Sequence, residues 1–320
     1  MAKYLIFRGR YPKPWGRDAA SCSTSEHEDA ECRKIVFMCD GYKNHGGLTD
    51  RMRGLLTTYH EARRRKVPFF ISWTEPFELS DFLVPAGPCD WRIERSRIHY
   101  DYARSWPLIM DISSVHAKNI VKTLLFKHGL RDGRDVLVYS NMMHAKKNIA
   151  QLYHELFKPS ARLQAAIDMH LADIGGPYHS FTFRFGNLFG DFSDIVGKPL
   201  GAEAAERLLN KNIVELRRLL DDLPHGYRAL VTSDSLFFLE RVQQADERIY
   251  VVKQRLMHVD FYKYERQQPC SDTWLKSFLD QQMIMRAERV WLLRTDDMYR
   301  SSFPQLAATL GEKEFVLHEF

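Results

Sequence analysis

The stretch Pro177–Asp194, PYHSFTFRFGNLFGDFSD, contains the features that decide the fold. Between His179 and Phe185, ring-bearing side chains at odd positions alternate with Ser, Thr and Arg at even positions, a pattern that predicts a β-strand. The pair Gly186-Asn187 ends the alternation and predicts a turn, and two acids follow at Asp191 and Asp194. The stretch therefore predicts an apolar strand that ends in a polar, glycine-containing loop.

Arg184 lies at the end of this strand, next to the glycine turn. In an open α/β sheet, ligands bind beyond the carboxyl ends of the strands, and phosphate groups are common there. A guanidinium suits phosphate because its planar fork donates two parallel hydrogen bonds and keeps its charge. An ion pair between Arg184 and a buried carboxylate would explain the residue equally well, and both interpretations stay open.

Composition indicates a soluble globular protein with a preference for anionic partners. Of the 320 residues, 45% are hydrophobic and 27% charged, and this length suits two domains of ordinary size. The net charge of +5 favours an anionic substrate such as a nucleotide. The densest basic cluster, Arg63–Lys66, ends a predicted helix, where cations complement the helix dipole. Basic and aromatic residues are not interleaved in one patch, so we expect no nucleic-acid partner.

The cysteines and the apolar segments indicate the cellular compartment of the protein. The five cysteines form no CxxC motif and no Cys/His spacing typical of zinc, so we expect reduced thiols and no metal. No apolar run is long enough to span a membrane, and the first ten residues have too short an apolar core for a signal peptide. These features predict a cytoplasmic protein.

Strands alternate with helices along the chain, which predicts an α/β protein with parallel sheets. Residues Lys3–Phe7 are interpreted as a strand or arm and Tyr11–Arg33 as irregular. Gly175-Gly176-Pro177 is a strong chain breaker, so we place an N-terminal domain at 1–175 and a C-terminal domain at 176–320. Besides the central strand, the predicted strands are Lys34–Cys39, Val67–Trp73, Asp135–Ser140, Arg228–Thr232, Arg248–Val252, Arg289–Leu293 and Glu314–Leu317. The predicted helices are one from Leu48 to Tyr59, Asp111–His128, Ala145–Phe157, Ala161–Ile174, Gly201–Leu220, Leu236–Ala245, Thr273–Arg286 and Ser301–Leu310.

Three loops of the C-terminal domain follow predicted strands and are expected at one edge of the sheet: Gly186–Asp194, Ser233–Ser235 and Arg294–Ser302. Asp234 is a candidate acceptor for a base or ribose, and Ser301-Ser302 open a helix whose N–H groups suit phosphate. Both features are also explained by ordinary helix N-capping. In the N-terminal domain, Gly46-Gly47 precede a helix and suit either an anion or a tight turn.

Four short segments resemble, in order and spacing, the α-1,6/α-1,2/protein O-fucosyltransferase superfamily. Thr182–Asn187 resembles its first motif, in which a strand supplies the donor-binding arginine. The bacterial nodulation-type α-1,6-fucosyltransferase form is most similar, because that form also ends in Gly-Asn. The other three segments are Gly46–Arg51, which resembles the N-terminal glycine loop, Val231–Ser235, and Asp280 together with Met298–Leu310.

The resemblance implies a GT-B fold, with two Rossmann-like domains facing a cleft and GDP-fucose bound by the C-terminal one. It also implies transfer to a glycan hydroxyl with inversion at the anomeric carbon, and neither a metal nor another cofactor. The sequence agrees with the last point, since it contains no Asp-x-Asp triplet that would hold a divalent cation against a diphosphate.

Carried over by motif, the resemblance assigns a role to each matching residue. Arg184 would bind the diphosphate and Asp234 the guanine or its ribose. The residues that would contact phosphate are Ser301, Ser302 and the Phe303 amide; Gly186 and Asn187 complete the donor motif; and Gly46, Gly47, Asp50 and Arg51 form a loop that would face the sugar. The chain departs from the family at Thr182, where the family has histidine, and at Phe185. These departures leave the identity of the nucleotide open.

In some relatives a carboxylate several residues after the arginine is the catalytic base, and Asp191 lies at that spacing. Asp194, Glu75 and Asp50 are rival candidates, and Asp191 is alternatively a loop cap. Residues 74–110 are rich in Trp, Tyr, Phe and Arg and suit either an acceptor groove or an aromatic core. Two alternative functions stay open: a transferase that uses another nucleotide sugar, and a non-catalytic nucleotide- or glycan-binding module.

Overall fold

The computed structural model describes residues 33–110, 126–131, 133–141, 148–192, 194, 197–254, 256–259 and 271–320. The predicted strand Lys3–Phe7, the irregular segment up to residue 32 and most of the predicted helix Asp111–His128 lie outside this range. The chain divides into two compact units. The first runs to Leu79 and resumes from Pro85 to Lys158, and the second contains Ser80–Val84 and Pro159–Phe320. Helix Ala161–Ile174, which the sequence placed before the domain boundary, thus lies in the second unit.

The first unit is built on a four-stranded parallel sheet. Its strands, in the order β2-β1-β5-β4, are β1 (Ile35–Cys39), β2 (Phe69–Trp73), β4 (Ser105–Met110) and β5 (Asp135–Ser140). Its helices are α1 (Leu48–Arg65) and α2 (Ile149–Leu156), with short 3₁₀ turns at Leu79–Asp81 and Arg95–Arg97 and a helical turn at 126–131. The short strands β3 (Leu83–Pro85) and β6 (Phe157–Pro159) lie where the chain passes between the units.

Strand β1 shows why a continuous apolar run predicts an inner parallel strand. All five of its residues are buried, because β2 and β5 pair with it and its two faces are covered. Strand β4 was not predicted, since Pro107 interrupts its pattern. It forms an edge of the sheet, where the missing N–H of proline is tolerated.

Helix α1 approaches the sheet closely at Gly54. A methyl group added at this position would lie 1.8 Å from the carbonyl oxygen of Ser140, at the end of β5. The helix is held at this distance because glycine has no side chain, and the contact seats α1 against the carboxyl edge of the sheet.

We predict that Gly54→Ala destabilises the protein by about 1–3 kcal/mol, because the overlap with backbone atoms outweighs the gain of about 1 kcal/mol in helix propensity. Urea unfolding followed by circular dichroism measures the difference. Arg64→Ala, on the exposed face of the same helix, is the control, with an expected change within about 0.5 kcal/mol. A stabilising effect of Gly54→Ala would contradict the close contact.

The second unit is built on a five-stranded parallel sheet with the order β11-β10-β7-β8-β9. Its strands are β7 (Tyr178–Phe183), β8 (Arg228–Ser233), β9 (Ile249–Val251), β10 (Arg289–Arg294) and β11 (Glu314–Glu319). Its helices are α3 (Ala161–Ile174), α4 (Ala202–Asp221), α5 (Leu236–Gln243), α6 (Ser271–Arg286) and α7 (Phe303–Leu310). The chain leaves β7 toward β8 and β9, whereas β10 returns to its other side and continues to β11, so the strand order reverses between β7 and β10.

Both faces of β7 are buried, although its sequence alternates. Phe181 and Phe183 belong to a core cluster that includes Leu208 of α4 and Phe238 of α5. On the opposite face, Ser180 is fully buried, and the Tyr178 hydroxyl donates to the Met283 carbonyl of α6 at 2.7 Å. The alternation therefore separates two buried faces of different chemistry, rather than a buried face from a solvated one.

A buried ion pair lies within α6, where Lys276 bonds Asp280 one turn later. Their side chains are 0% and 3% exposed. Burial raises the pKa of Asp280, and the neighbouring Lys276 opposes this rise. Asp280 belongs to one of the motifs that the sequence singled out, and in the structure its carboxylate is enclosed and neutralised by lysine.

None of the helices that the structure describes combines the length and apolar character required to cross a membrane.

Candidate functional site

The candidate site lies in the second unit at the carboxyl ends of β7, β8 and β10. The strand order reverses between β7 and β10, and in open α/β sheets ligands bind in the crevice at such a reversal. The loops that leave these strands contain the predicted residues of the donor motifs. The loop after β10 is tied to the end of β7 by the Tyr299 N–H, which donates to the Arg184 carbonyl at 3.1 Å.

Arg184 is the first residue after β7, and its guanidinium is held by three groups. It pairs with the carboxylate of Asp194, and its Nη1 lies 3.3 Å from Oδ2 of Asp234. Its central carbon lies 4.6 Å above the ring of Phe192. The expected ion pair with a buried carboxylate is therefore present. The side chain is nevertheless 19% exposed. Its contact with a diphosphate stays a prediction.

Asp234 fixes the turn that positions Arg184. Its side chain is 1% exposed, and its two oxygens accept hydrogen bonds from the backbone N–H groups of Phe185 at 2.9 Å and Gly186 at 2.7 Å. Burial raises the pKa of Asp234, while Arg184 and these two amides oppose the rise. Gly186 has a φ of 60°, which favours glycine. The carboxylate of Asp234 is enclosed by the turn. Its predicted contact with a base or ribose stays a prediction.

Two other residues of the first motif also serve the local structure. The Thr182 hydroxyl lies 2.9 Å from the Thr232 hydroxyl, and both side chains are buried between β7 and β8. The Asn187 carbonyl accepts the Gly190 N–H at 3.1 Å and closes the next turn. The threonine that replaces the family's histidine is thus bonded to the neighbouring strand.

Asp191 caps helix α5 with one of its oxygens. Oδ2 accepts from the Ser235 hydroxyl and from the Phe237 N–H, each at 2.9 Å. The alternative of a capping role is therefore realised. Oδ1 is buried and makes no hydrogen bond with any residue that the structure describes. The carboxylate is consequently oriented by one oxygen and has an acceptor left on the other.

The start of helix α7 contains the predicted phosphate-binding group. The helix begins at Phe303, and the Ser301 hydroxyl accepts the Phe303 N–H at 3.2 Å. Ser302 is the N-cap, but its side chain makes no capping bond. Tyr299, bonded to Arg184, precedes Ser301 by two residues, a span of about 7 Å at most. The loop that leads into α7 is therefore bonded to the backbone of Arg184 two residues before Ser301.

The predicted glycine-loop residues lie in the first unit, after β1. Arg51 is 5% exposed; its Nε donates to the Gly46 carbonyl at 3.1 Å, and its Nη1 to the Glu75 carbonyl at 2.7 Å. Gly47 is the N-cap of α1, and Asp50 lies 3.6 Å from Arg53 in the first turn of that helix. Arg51 thus holds this loop together from inside. The predicted contacts of the loop with a sugar stay predictions.

Sequence reasoning missed two aromatic residues beside Arg184. Phe192 supports the guanidinium face, and Tyr299 is 47% exposed although its backbone is anchored to Arg184. Their only signal was the clustering of aromatic residues near the two motifs. Within residues 74–110, the aromatic-core interpretation fits Phe77, Phe82 and Trp91, which are all buried.

Comparison with known proteins places the fold. No protein-family model and no curated protein matches the chain. A crystal structure of the NodZ alpha-1,6-fucosyltransferase co-crystallised with GDP is 12% identical over 87% of this chain and 92% of that one, with a TM-score of 0.53. The fucosyltransferase NodZ from Bradyrhizobium gives 12% identity over 87% and 93% of the two chains, with a TM-score of 0.55. Apo POFUT1 gives 10% identity over 92% and 99%, with a TM-score of 0.49.

The TM-scores of the two NodZ comparisons show the class of the fold: the chain has the GT-B-type α/β fold of glycosyltransferases. More particularly, its structural neighbours include fucosyltransferases of the superfamily that the four motifs resemble. The predicted fold class and the recognised resemblance are therefore confirmed. At 12% identity, this similarity shows the fold and not the activity. The activity of the chain is therefore a proposal.

We predict that Asp234→Ala destabilises the protein by about 3–5 kcal/mol, because it leaves Arg184 and two backbone N–H groups without their buried acceptor. Chemical unfolding measures the change. Asp222→Ala removes a carboxylate that is 74% exposed at the end of α4 and is the matched control. A loss below about 1 kcal/mol for Asp234→Ala would show that the buried carboxylate is not required to hold the turn.

Proposed function

We propose that the protein is a metal-independent inverting glycosyltransferase that transfers fucose from GDP-fucose to a hydroxyl of a glycan acceptor. The observation that carries the proposal is the Arg184 side chain, 19% exposed at the strand-order reversal, with the loop that leads into α7 bonded to its backbone carbonyl. The fold supports it, since the NodZ structures include one co-crystallised with GDP and one soaked with GDP-fucose.

Arg184 and the start of α7 bind the donor diphosphate in this proposal. Phosphate oxygens replace the Asp194 carboxylate at the guanidinium, while Asp234 keeps Arg184 in place from behind. The Ser302 hydroxyl donates to the same anion, and the Phe303 N–H exchanges its bond to the Ser301 hydroxyl for one to phosphate. As the sugar–phosphate bond breaks, these donors stabilise the charge that develops on the departing GDP.

Asp191 is the general base of the proposed reaction. Ser235 and Phe237 hold its Oδ2, which fixes the orientation of the carboxylate and leaves the buried Oδ1 as the oxygen that accepts the proton. The acceptor hydroxyl loses its proton to Asp191 and its oxygen bonds to the anomeric carbon. The bond from that carbon to the diphosphate breaks on the opposite side, which inverts the configuration.

A transferase that uses another nucleotide sugar is the second candidate. It is favoured by Thr182, which stands at the position of a histidine in the family that the motifs resemble. The hydroxyl of Thr182 is bonded to Thr232. Binding measured with GDP, UDP and their sugars separates the two donors. A non-catalytic binding module would bind a nucleotide sugar but show neither transfer nor slow donor hydrolysis.

We predict that Arg184→Lys weakens GDP binding at least about tenfold and lowers transfer, because lysine keeps the charge facing Asp234 but loses the bidentate fork. Lysine is preferred to alanine, which would leave Asp234 buried and unpaired. Calorimetry with GDP and a transfer assay measure the effect. Arg218→Lys, an exposed arginine of α4, is the control. If GDP binds both variants equally, Arg184 is not part of the site.

We predict that Asp191→Asn lowers kcat by about 10²–10⁴-fold and leaves GDP affinity within about twofold. The amide oxygen still accepts from Ser235 and Phe237, so the helix cap is kept while the base is lost. Single-turnover transfer and GDP calorimetry provide the two measurements. The rival bases are tested in parallel with Asp194→Asn, Glu75→Gln and Asp50→Asn. Undiminished turnover in Asp191→Asn would assign the base elsewhere.

A further inference from the structure

The guanidinium of Arg184 already binds an anion that belongs to the protein. Its Nη2 donates to Oδ2 of Asp194, which lies ten residues later in the chain and outside the helices and strands. The Asp194 side chain is 5% exposed. A carboxylate oxygen accepts a hydrogen bond from a guanidinium just as a phosphate oxygen does. Asp194 therefore occupies the position that the proposed function gives to the donor diphosphate.

The two carboxylates beside Arg184 differ in what else they hold. Both oxygens of Asp234 accept backbone N–H groups, from Phe185 and Gly186, and its Oδ2 lies 3.3 Å from Nη1 of the arginine. Asp194 instead accepts its hydrogen bond from the guanidinium itself. Loss of the Asp234 contact would release the turn, whereas loss of the Asp194 contact leaves the turn and the arginine braced by Asp234. Asp194 is therefore the partner that Arg184 can exchange.

The surroundings of Arg184 indicate which side chain moves during such an exchange. The ring of Phe192 lies 4.6 Å from the central carbon of the guanidinium, and Asp234 contacts Nη1. The backbone carbonyl of Arg184 accepts the Tyr299 N–H. The arginine is thus held along its length, while an aspartate has two torsions and few preferred rotamers to choose between. We expect Asp194, and not Arg184, to turn away when a ligand arrives.

The local charge also favours the departure of Asp194. One guanidinium and two carboxylates give this group a formal charge of −1. A diphosphate that approaches the group is repelled while both carboxylates remain. Asp234 is enclosed by the turn that it holds, so the carboxylate that leaves is Asp194.

We propose that Asp194 is an autoinhibitory latch, a carboxylate that closes the anion position of Arg184 until a diphosphate-bearing ligand displaces it. The inference rests on the proposed function and describes the regulation of its donor site. While the latch is closed the ligand does not bind, so the apparent affinity is the intrinsic affinity multiplied by the open fraction. Removal of Asp194 consequently strengthens binding, whereas removal of a group that binds the ligand weakens it.

Calorimetry with inorganic pyrophosphate and with GDP, on wild-type protein, Asp194→Asn and Asp194→Ala, tests the latch. We expect the affinity for both ligands to rise at least about tenfold in Asp194→Ala. The rise is smaller in Asp194→Asn, because the amide oxygen still accepts a weaker, uncharged hydrogen bond. Asp222→Asn removes a carboxylate that is 74% exposed in the same unit, and its affinity stays within about twofold of wild type. Thermal unfolding within about 4 °C of wild type shows that the variants keep the fold.

A double variant tests whether the effect acts through the guanidinium. In Arg184→Lys combined with Asp194→Ala, we expect no gain over Arg184→Lys alone, because the latch has lost the group that it closes. A tenfold gain that persists in this background overturns the latch.

Steady-state transfer separates the latch from a catalytic role of Asp194. A latch lowers KM for the donor and leaves kcat unchanged in Asp194→Ala, since the saturated enzyme is open in both proteins. A large loss of kcat would instead assign Asp194 as the base and overturn the latch.

The outcomes for the latch and for the proposed function are distinct. If GDP binding needs Arg184 but neither Asp194 variant binds more tightly, the latch is wrong and the proposed function stands. If both variants bind pyrophosphate and GDP more tightly but no nucleotide sugar is transferred or hydrolysed, the latch stands and the proposed function is wrong. If neither ligand binds wild-type protein or the variants, both proposals are overturned.

Discussion

The buried carboxylate of Asp234 makes the contacts on which the candidate site depends. It connects the end of β8 to the turn after β7, through two backbone N–H groups and the guanidinium of Arg184. An enclosed carboxylate of this kind is stable only with such partners, so the turn, the arginine and the strand pair are specified together. The same contact orients Arg184, whose side chain is 19% exposed.

The topology of the second sheet then decides which loops share the site. Because β7 lies between β8 and β10, the loops after all three strands end at one edge. Helices cover both faces of the sheet, so the carboxyl ends of the strands are where polar groups meet. In the first unit, α1 likewise packs directly against the sheet at Gly54. Rigid elements thus carry the site, and loops supply its chemistry.

Most strands and helices were predictable because their apolar periods are long and uninterrupted, as in β1 and α4. The edge strand β4 was missed because Pro107 breaks its pattern. Arg184 was predicted as a candidate site residue from its place after an apolar strand, and this assignment stays a prediction. Its pairing with Asp234 was not predicted. That pair spans 50 residues and follows from the register of β7 on β8, which no local pattern contains.

The ion pair between Arg184 and Asp194 has a consequence for the anions that could bind the guanidinium. The guanidinium already has an anion tethered to the same loop, which acts at a high effective concentration. A free inorganic anion has no second contact with which to displace that tethered carboxylate. The proposed donor would have further contacts with which to displace it, so the internal carboxylate would favour that donor over small inorganic anions.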